Sequence, residues 1–204
     1  MRLSLVERFL RKIIPIFIKG INNQIEIKCK IKKGRIDVLG SNNYVSIPES
    51  CRFNNAQITI SGENNRLIIE EDVRLFGPCK IILEGDATLI LGRKAGVRGV
   101  NFFLKEGKTI VGELCMFSYG IKIRNHDSHK IFLNGDTIPC NPPADISIGR
   151  HVWICQDATI LKGVSIGEDS IVGLGSVVTK SCPANSIVAG VPARIVRSGI
   201  HWDY

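Results

Sequence analysis

The chain has 204 residues, 44% of them hydrophobic and 23% charged, which is the balance of one globular domain with a sizeable core. Its net charge of +8 favours anionic partners, namely nucleic acid, a membrane surface, phosphorylated cofactors or an acidic polymer, although a solvated basic surface accounts for it equally. The seven cysteines are scattered, odd in number and form no C-x-x-C, which argues against a disulfide framework or a cysteine zinc site. They read as small buried hydrophobes in a reducing compartment.

At the amino terminus Leu3, Val6, Leu10, Ile13, Ile14 and Phe17 recur at helical spacing, with Arg2, Arg8, Arg11 and Lys12 between them. The pattern predicts a basic amphipathic helix over residues 1–19, open to a kink at Pro15. Two roles suit it: a cap over the terminal apolar layer of a repeat protein, or a peripheral hold on an anionic membrane face. The apolar run Ile13 to Ile18 is too short to span a bilayer and lacks a signal-peptide cleavage site, so the expected home is the cytoplasm, or the cytoplasmic face of the inner membrane.

From residue 20 a longer repeat begins. Gly20-Ile21-Asn22-Asn23, Gly40-Ser41-Asn42-Asn43 and Gly62-Glu63-Asn64-Asn65 recur, and Gly85 and Gly107 continue the register, with spacings of 20, 22, 23 and 22 residues. Alternating aliphatics follow each, such as Val45 and Ile47 or Leu67 and Ile69. Glycine and asparagine tolerate the left-handed backbone of tight corners, and stacked asparagines can ladder hydrogen bonds along one corner. These coils read as scaffold. Between Arg124 and Asp145 the pattern stops, in a segment holding Pro139, Pro142, Pro143 and two histidines. An interruption of that length in a compact repeat is usually functional.

The repeat then resumes as strict sixes: Ile148, Ile154, Ile160, Ile166, Val172 and Val178. Four residues after each, Val152, Ala158, Val164, Ser170 and Ser176 are small or β-branched. Period six fits neither helix nor strand alone; it fits very short strands joined by turns, three to a coil, with one inward aliphatic per strand. Residues 20–204 therefore read as one domain, an all-β parallel β-helix with one inserted loop over about 124–145. Pro183, Gly190 and Pro192 end the solenoid.

Gly149-Arg150-His151-Val152-Trp153-Ile154, Ile160-Leu161-Lys162-Gly163-Val164-Ser165-Ile166-Gly167, Gly175-Ser176-Val177-Val178-Thr179-Lys180 and Ala189-Gly190-Val191-Pro192-Ala193-Arg194 resemble the left-handed β-helix hexapeptide acyltransferases. Ile123-Arg124, then Asp127-Ser128-His129 and Trp153, resemble more narrowly the O-acetyltransferases of bacterial capsule and lipopolysaccharide pathways. The resemblance implies a left-handed coil, an exception to the usual handedness of parallel crossovers. It also implies a homotrimer with the cleft between neighbouring solenoids, acetyl-coenzyme A as co-substrate, no required metal, and an acidic or neutral oligosaccharide or polysaccharide acceptor rather than nucleic acid. The positive charge fits a polymer containing sialic acid.

A sugar hydroxyl is a poor nucleophile near neutral pH and needs a base; histidine titrates in the right range. The resemblance places that base at His129, with His126 as the rival and Asp127 as a candidate to fix an imidazole tautomer or to form a turn. Trp153 is expected to line the acyl-donor or acceptor cleft, or simply to pack at a corner. Lys162, Lys180 and Arg194 fall where the family meets coenzyme A, Lys180 and Arg194 near its phosphates. Gly173, Gly175, Ala189 and Gly190 would let the pantetheine arm approach backbone N–H groups. Cys155 departs from the glycine usual after Trp-Ile and reads as a small corner residue. Other readings are an acetyltransferase for small-molecule sugars, a γ-carbonic-anhydrase-like enzyme with zinc on His126, His129 and His151, and a non-catalytic scaffold.

Overall fold

The computed structural model describes residues 4, 6, 7, 10 and 14–203. Its strands form three parallel ladders that close a left-handed β-helix with a triangular section. The first side stacks Ile16–Lys19, Arg35–Leu39, part of Arg52–Ser61, the middle of Arg74–Leu91, the start of Asn101–Val111, Lys122–Arg124, Thr159–Leu161 and Val177–Val178. The second runs from Gln24–Ile27 through Tyr44–Ile47 and Arg66–Ile69 to Ile146–Ile148 and Ser165–Ile166. The third climbs from Ile31–Lys32 through Gly96–Arg98 and Met116–Phe117 to Trp153–Ile154, Ile171–Val172 and Ser186–Gly190.

The aliphatics at every sixth position are the core. Ile148, Ile154, Ile160, Ile166, Val172 and Val178 are all buried, each in register with its counterpart on the neighbouring coil. The small residues between them fill the corners, where Val152, Ala158, Val164, Ser170 and Ser176 are also buried. β-Branched side chains suit these ladders because their restricted χ1 packs well on a pleated surface. Burial of the two serines is compensated: Ser170 Oγ donates to Pro183 O (3.1 Å), and Ser176 Oγ accepts from the Gly190 N–H (3.2 Å).

The repeated Gly-x-Asn-Asn segments turn the first side into the second. Asn42, Asn64 and Asp86 take left-handed φ values of 58°, 60° and 62° there. The following asparagines form the expected ladder: Asn23 Oδ1 accepts from Asn43 N and Nδ2, Asn43 Oδ1 accepts from Asn65 N and Nδ2, and Asn65 Oδ1 accepts from Ala87 N. The glycines serve stacking as well as turning. A Cβ at Gly40 would lie 1.8 Å from the carbonyl oxygen of Gly62 on the next coil, so a side chain there is sterically forbidden.

Five of the seven cysteines (Cys29, Cys51, Cys79, Cys115 and Cys182) are buried free thiols, as expected. Burial pushes the Cys115 thiol up to about 12 while its Sγ bonds Gly149 O at 3.1 Å. Cys140 differs: it is exposed on the inserted loop.

At the amino terminus Val6, Glu7 and Leu10 are helical, and Ser4 and Glu7 form a reciprocal cap, Ser4 N to Glu7 Oε2 at 2.7 Å and Glu7 N to Ser4 Oγ at 3.2 Å. Of the expected helix, residues 1–3, 5, 8, 9 and 11–13, including Arg2, Arg8, Arg11 and Lys12, lie outside the described residues. The solenoid starts ahead of Gly20, because Ile16–Lys19 is already a strand of the first side and Phe17 points into the core. Pro15 is thus the junction into the first coil rather than a kink within a helix. No helix among the described residues is long and apolar enough to cross a membrane.

Candidate active site

The inserted loop leaves the first side after Arg124 and rejoins the second at Ile146. Asn125, fully buried, fastens its base: Oδ1 accepts from Lys105 N (2.8 Å), Nδ2 donates to Glu106 O (2.7 Å), and its carbonyl accepts from Ala144 N (3.0 Å). The side-chain amide thus replaces the missing turn hydrogen bonds of the coil, and the two ends of the loop close across Asn125 and Ala144.

Within the loop Asp127 is the anchor. Its carboxylate takes an ion pair from Lys162 on the following coil and a hydrogen bond from Asn141 Nδ2 at 2.9 Å. Lys162, first of all, and then Asn141 hold this carboxyl below the usual aspartate range. Asp127 therefore orients the loop rather than an imidazole. Lys162, expected beside the co-substrate, is committed to the loop through Asp127 and Pro142 O. Asn141 was not singled out by the sequence. It also bonds His129 O (2.9 Å) and accepts from Ile131 N (2.7 Å), and it belongs to the segment that lacked any repeat.

His126 and His129 differ in their surroundings. Nδ1 of His126 accepts the backbone N–H of Ser128 at 3.0 Å, which leaves Nε2 as the protonated nitrogen of the neutral ring. Burial, and then the nearby Arg124 guanidinium, lower the His126 pKa. Arg124 itself is held over the Phe103 ring at 5.4 Å and donates to Ser128 Oγ at 3.0 Å. His129 is exposed, its imidazole has no partner among the described residues, and the residue lines a hollow of ≈ 260 Å³. Lys105, Asn141 and Pro142 are among the other residues that line it.

Trp153 stands elsewhere, on the outer surface of the third side. It lies in register between Met116 and Ile171, is 40% exposed, and tilts against Trp202 with ring centroids 5.9 Å apart. It is an external residue of a strand, not a corner filler. Cys155, two residues on, is half-buried, and burial raises its thiol pKa, which disfavours a nucleophilic thiolate.

The remaining expected contacts gather near the carboxy-terminal end of the solenoid. Lys180 and Arg194 line one hollow of ≈ 310 Å³, together with Val178, Cys182 and Val188. Gly173 faces Ala189 closely, a Cβ there falling 2.9 Å from the alanine methyl, whereas a Cβ at Gly175 would meet nothing within 4 Å. Three of the four backbone donors expected to serve a ligand are already used. Gly173 N–H bonds Val188 O (2.8 Å), Gly175 N–H bonds Gln156 O (2.9 Å), and Gly190 N–H bonds Ser176 Oγ (3.2 Å).

Within one chain the three histidines of the zinc reading do not come together. His151 belongs to the corner between the second and third sides, takes a φ of 53°, and bonds Asp169 Oδ1 through Nδ1 at 2.7 Å. Among the described residues no three His, Cys, Asp or Glu side chains come together as a metal site.

Comparison with known proteins identifies the family. Residues 145–180 match the bacterial transferase hexapeptide (six repeats) family. Over 151 residues the chain is 37% identical to the polysialic acid O-acetyltransferase of Neisseria meningitidis, an alignment covering 71% of this chain and 68% of that one. The chain belongs to the hexapeptide-repeat O-acetyltransferases. As a member it is an acetyl-coenzyme A-dependent acyltransferase. The fold matches two solved structures over 93% of the chain. One is the polysialic acid O-acetyltransferase OatWY (TM-score 0.88, 33% identity, 91% of that chain). The other is the polySia-specific acetyltransferase NeuO (TM-score 0.84, 26% identity, 88% of that chain).

Proposed function

We propose that this enzyme transfers acetyl from acetyl-coenzyme A to a hydroxyl of an acidic bacterial surface polysaccharide, with His129 as general base. The observation that carries the assignment is the unpartnered His129 imidazole, held on an anchored loop beside a hollow edged by Lys105 and Lys130. His126, whose Nδ1 lone pair is spent on Ser128, serves better as a fixed hydrogen-bond donor. As the sugar oxygen bonds the acetyl carbonyl carbon, its proton passes to the His129 imidazole. The carbon–sulfur bond then breaks, and the same proton neutralises the departing coenzyme A thiolate.

The net charge of +8 and the identity with a polysialic acid O-acetyltransferase support a polyanionic acceptor. Lys180 and Arg194 suit the phosphates of coenzyme A, and the edge formed by Gly173, Gly175, Ala189 and Gly190 suits its pantetheine arm. Because the loop carrying His129 and the strand carrying Trp153 lie on different parts of the prism, we infer that a complete site joins the loop of one protomer to the third side of another, in a homotrimer. The seven free thiols and the use of acetyl-coenzyme A favour a cytoplasmic enzyme, with the amino-terminal helix as either cap or peripheral membrane contact.

The test is a thiol-release assay with acetyl-coenzyme A against sialic-acid polymers and neutral oligosaccharides, run beside His129→Ala. The variant is expected to lose at least about a hundredfold in turnover with retained fold, the usual size of a general-base contribution. An unchanged rate removes His129 from the mechanism, and exclusive use of neutral acceptors removes the polyanion.

A further inference from the structure

The solenoid does not end where its hexads end. Ser186–Gly190 turns through Pro192 into Ala193–Ser198, which runs back antiparallel along it. After Gly199 the chain is pinned by two hydrogen bonds, Ile200 N to Asn185 O (3.0 Å) and Asn185 Nδ2 to Ile200 O (3.1 Å). Trp202 is thereby brought down to the coil that holds Trp153. Its Nε1–H donates to His151 O at 2.9 Å, and its indole stacks on the His151 ring at 4.0 Å with the planes 6° apart. The His151 ring is fixed in turn by Asp169. On its other flank Trp202 tilts against Trp153 at 43°.

We propose that Trp202 is a positioning residue that fixes the orientation of the Trp153 indole on the outer surface of the third side. An indole standing out from a strand has two free torsions, and at 40% exposure Trp153 has no surrounding core to select one rotamer. Its neighbours in register, Met116 and Ile171, support it from the coils on either side, but both side chains are flexible or small beside an indole. The rigid platform is the Trp202 ring, held by a part-buried hydrogen bond and a parallel stack. A tail segment far from the inserted loop in sequence thus sets the wall of the cleft. Its kinetic consequence rests on the reading that Trp153 lines the acetyl-coenzyme A cleft; its structural content does not.

The chain has two tryptophans, so replacing Trp202 leaves Trp153 as the sole indole reporter. Time-resolved fluorescence anisotropy of full-length Trp202→Phe and Trp202→Ala is the direct test. The amplitude of the fast local component from Trp153 is expected to be about twofold larger in the alanine variant, with phenylalanine restoring most of the restraint. Equal local motion in the two variants overturns the proposal. In steady-state kinetics Trp202→Ala is expected to raise KM for acetyl-coenzyme A about fivefold with kcat within about twofold, the mark of misplaced binding rather than lost chemistry. A parallel drop in kcat and in the folded fraction, with KM unmoved, would instead mark Trp202 as a mere staple of the tail. Trp153→Ala separates the two layers: if it leaves KM for acetyl-coenzyme A intact, Trp153 is not part of the donor cleft, and the anisotropy result alone decides whether Trp202 positions it.

Discussion

The carboxylate of Asp127 and the ammonium of Lys162 join the inserted loop to the coil that follows it, across 35 residues of sequence. This pair, with Asn141 as its third member, is what makes a proline-interrupted excursion a defined support for His129. Breaking it by Asp127→Ala or Lys162→Met is expected to speed hydrogen exchange across residues 126–143 without altering exchange in the core ladders. Turnover should drop about tenfold, because a loosened base loses orientation before it loses basicity. The pH dependence follows from the depressed Asp127 carboxyl. A group whose pKa is lowered by folding contributes stability above its unfolded pKa, near 3.8, and loses that contribution as pH falls through the still lower folded value. The anchor therefore holds across the neutral range and fades only in acid, which exchange measured at descending pH will show.

His126 should titrate below the usual histidine range. It is partly buried beside Arg124, and its pKa lies below the usual histidine value of 6.5. Its neutral form is the one that accepts from Ser128. Its contribution to loop stability is thus present above pH 6.5 and declines as pH falls through its lowered folded pKa. Carbon–proton correlation spectra of the four imidazoles will identify His126 as one titrating below 6.5, confirmed by His126→Asn. That substitution should cost less turnover than His129→Ala. A larger loss would transfer the role of base to His126.

A site shared between protomers makes a prediction about mixtures. His129→Ala and Trp153→Ala trimers should each be strongly impaired. Subunits exchanged at equal ratio should recover about a quarter of the wild-type rate, since one interface in four then pairs an intact loop with an intact third side. If the mixture stays as inactive as its parents despite proven exchange, the site lies within one chain.

The asparagine ladder is expected to carry measurable stability. Asn43 is 1% exposed, and its Oδ1 accepts from both the backbone and the side chain of Asn65. Asn43→Ala strips both donors of their acceptor in a buried corner and should cost on the order of 3 kcal/mol, seen as a lower urea midpoint. Asn23→Ala, at the outermost rung, should cost less because water can replace the lost acceptor.

How much of this was legible in the sequence depends on the range over which each feature is encoded. The rungs from Ile148 to Val178, the corner asparagines and the break after Arg124 were readable, because inward and outward alternation and turn chemistry are set by residues a few positions apart. The motif residues around His129 and Trp153 pointed to acyl transfer by family likeness. Tertiary structure alone decided the rest: that Asp127 answers Lys162 rather than an imidazole, that the donors of Gly173, Gly175 and Gly190 are spent inside the solenoid, and that Trp202 returns to Trp153. Those contacts join segments that no period relates. Their partners are fixed only when the coils stack and the loop and tail close over them, so the repeat specifies the prism but not what its irregular segments touch.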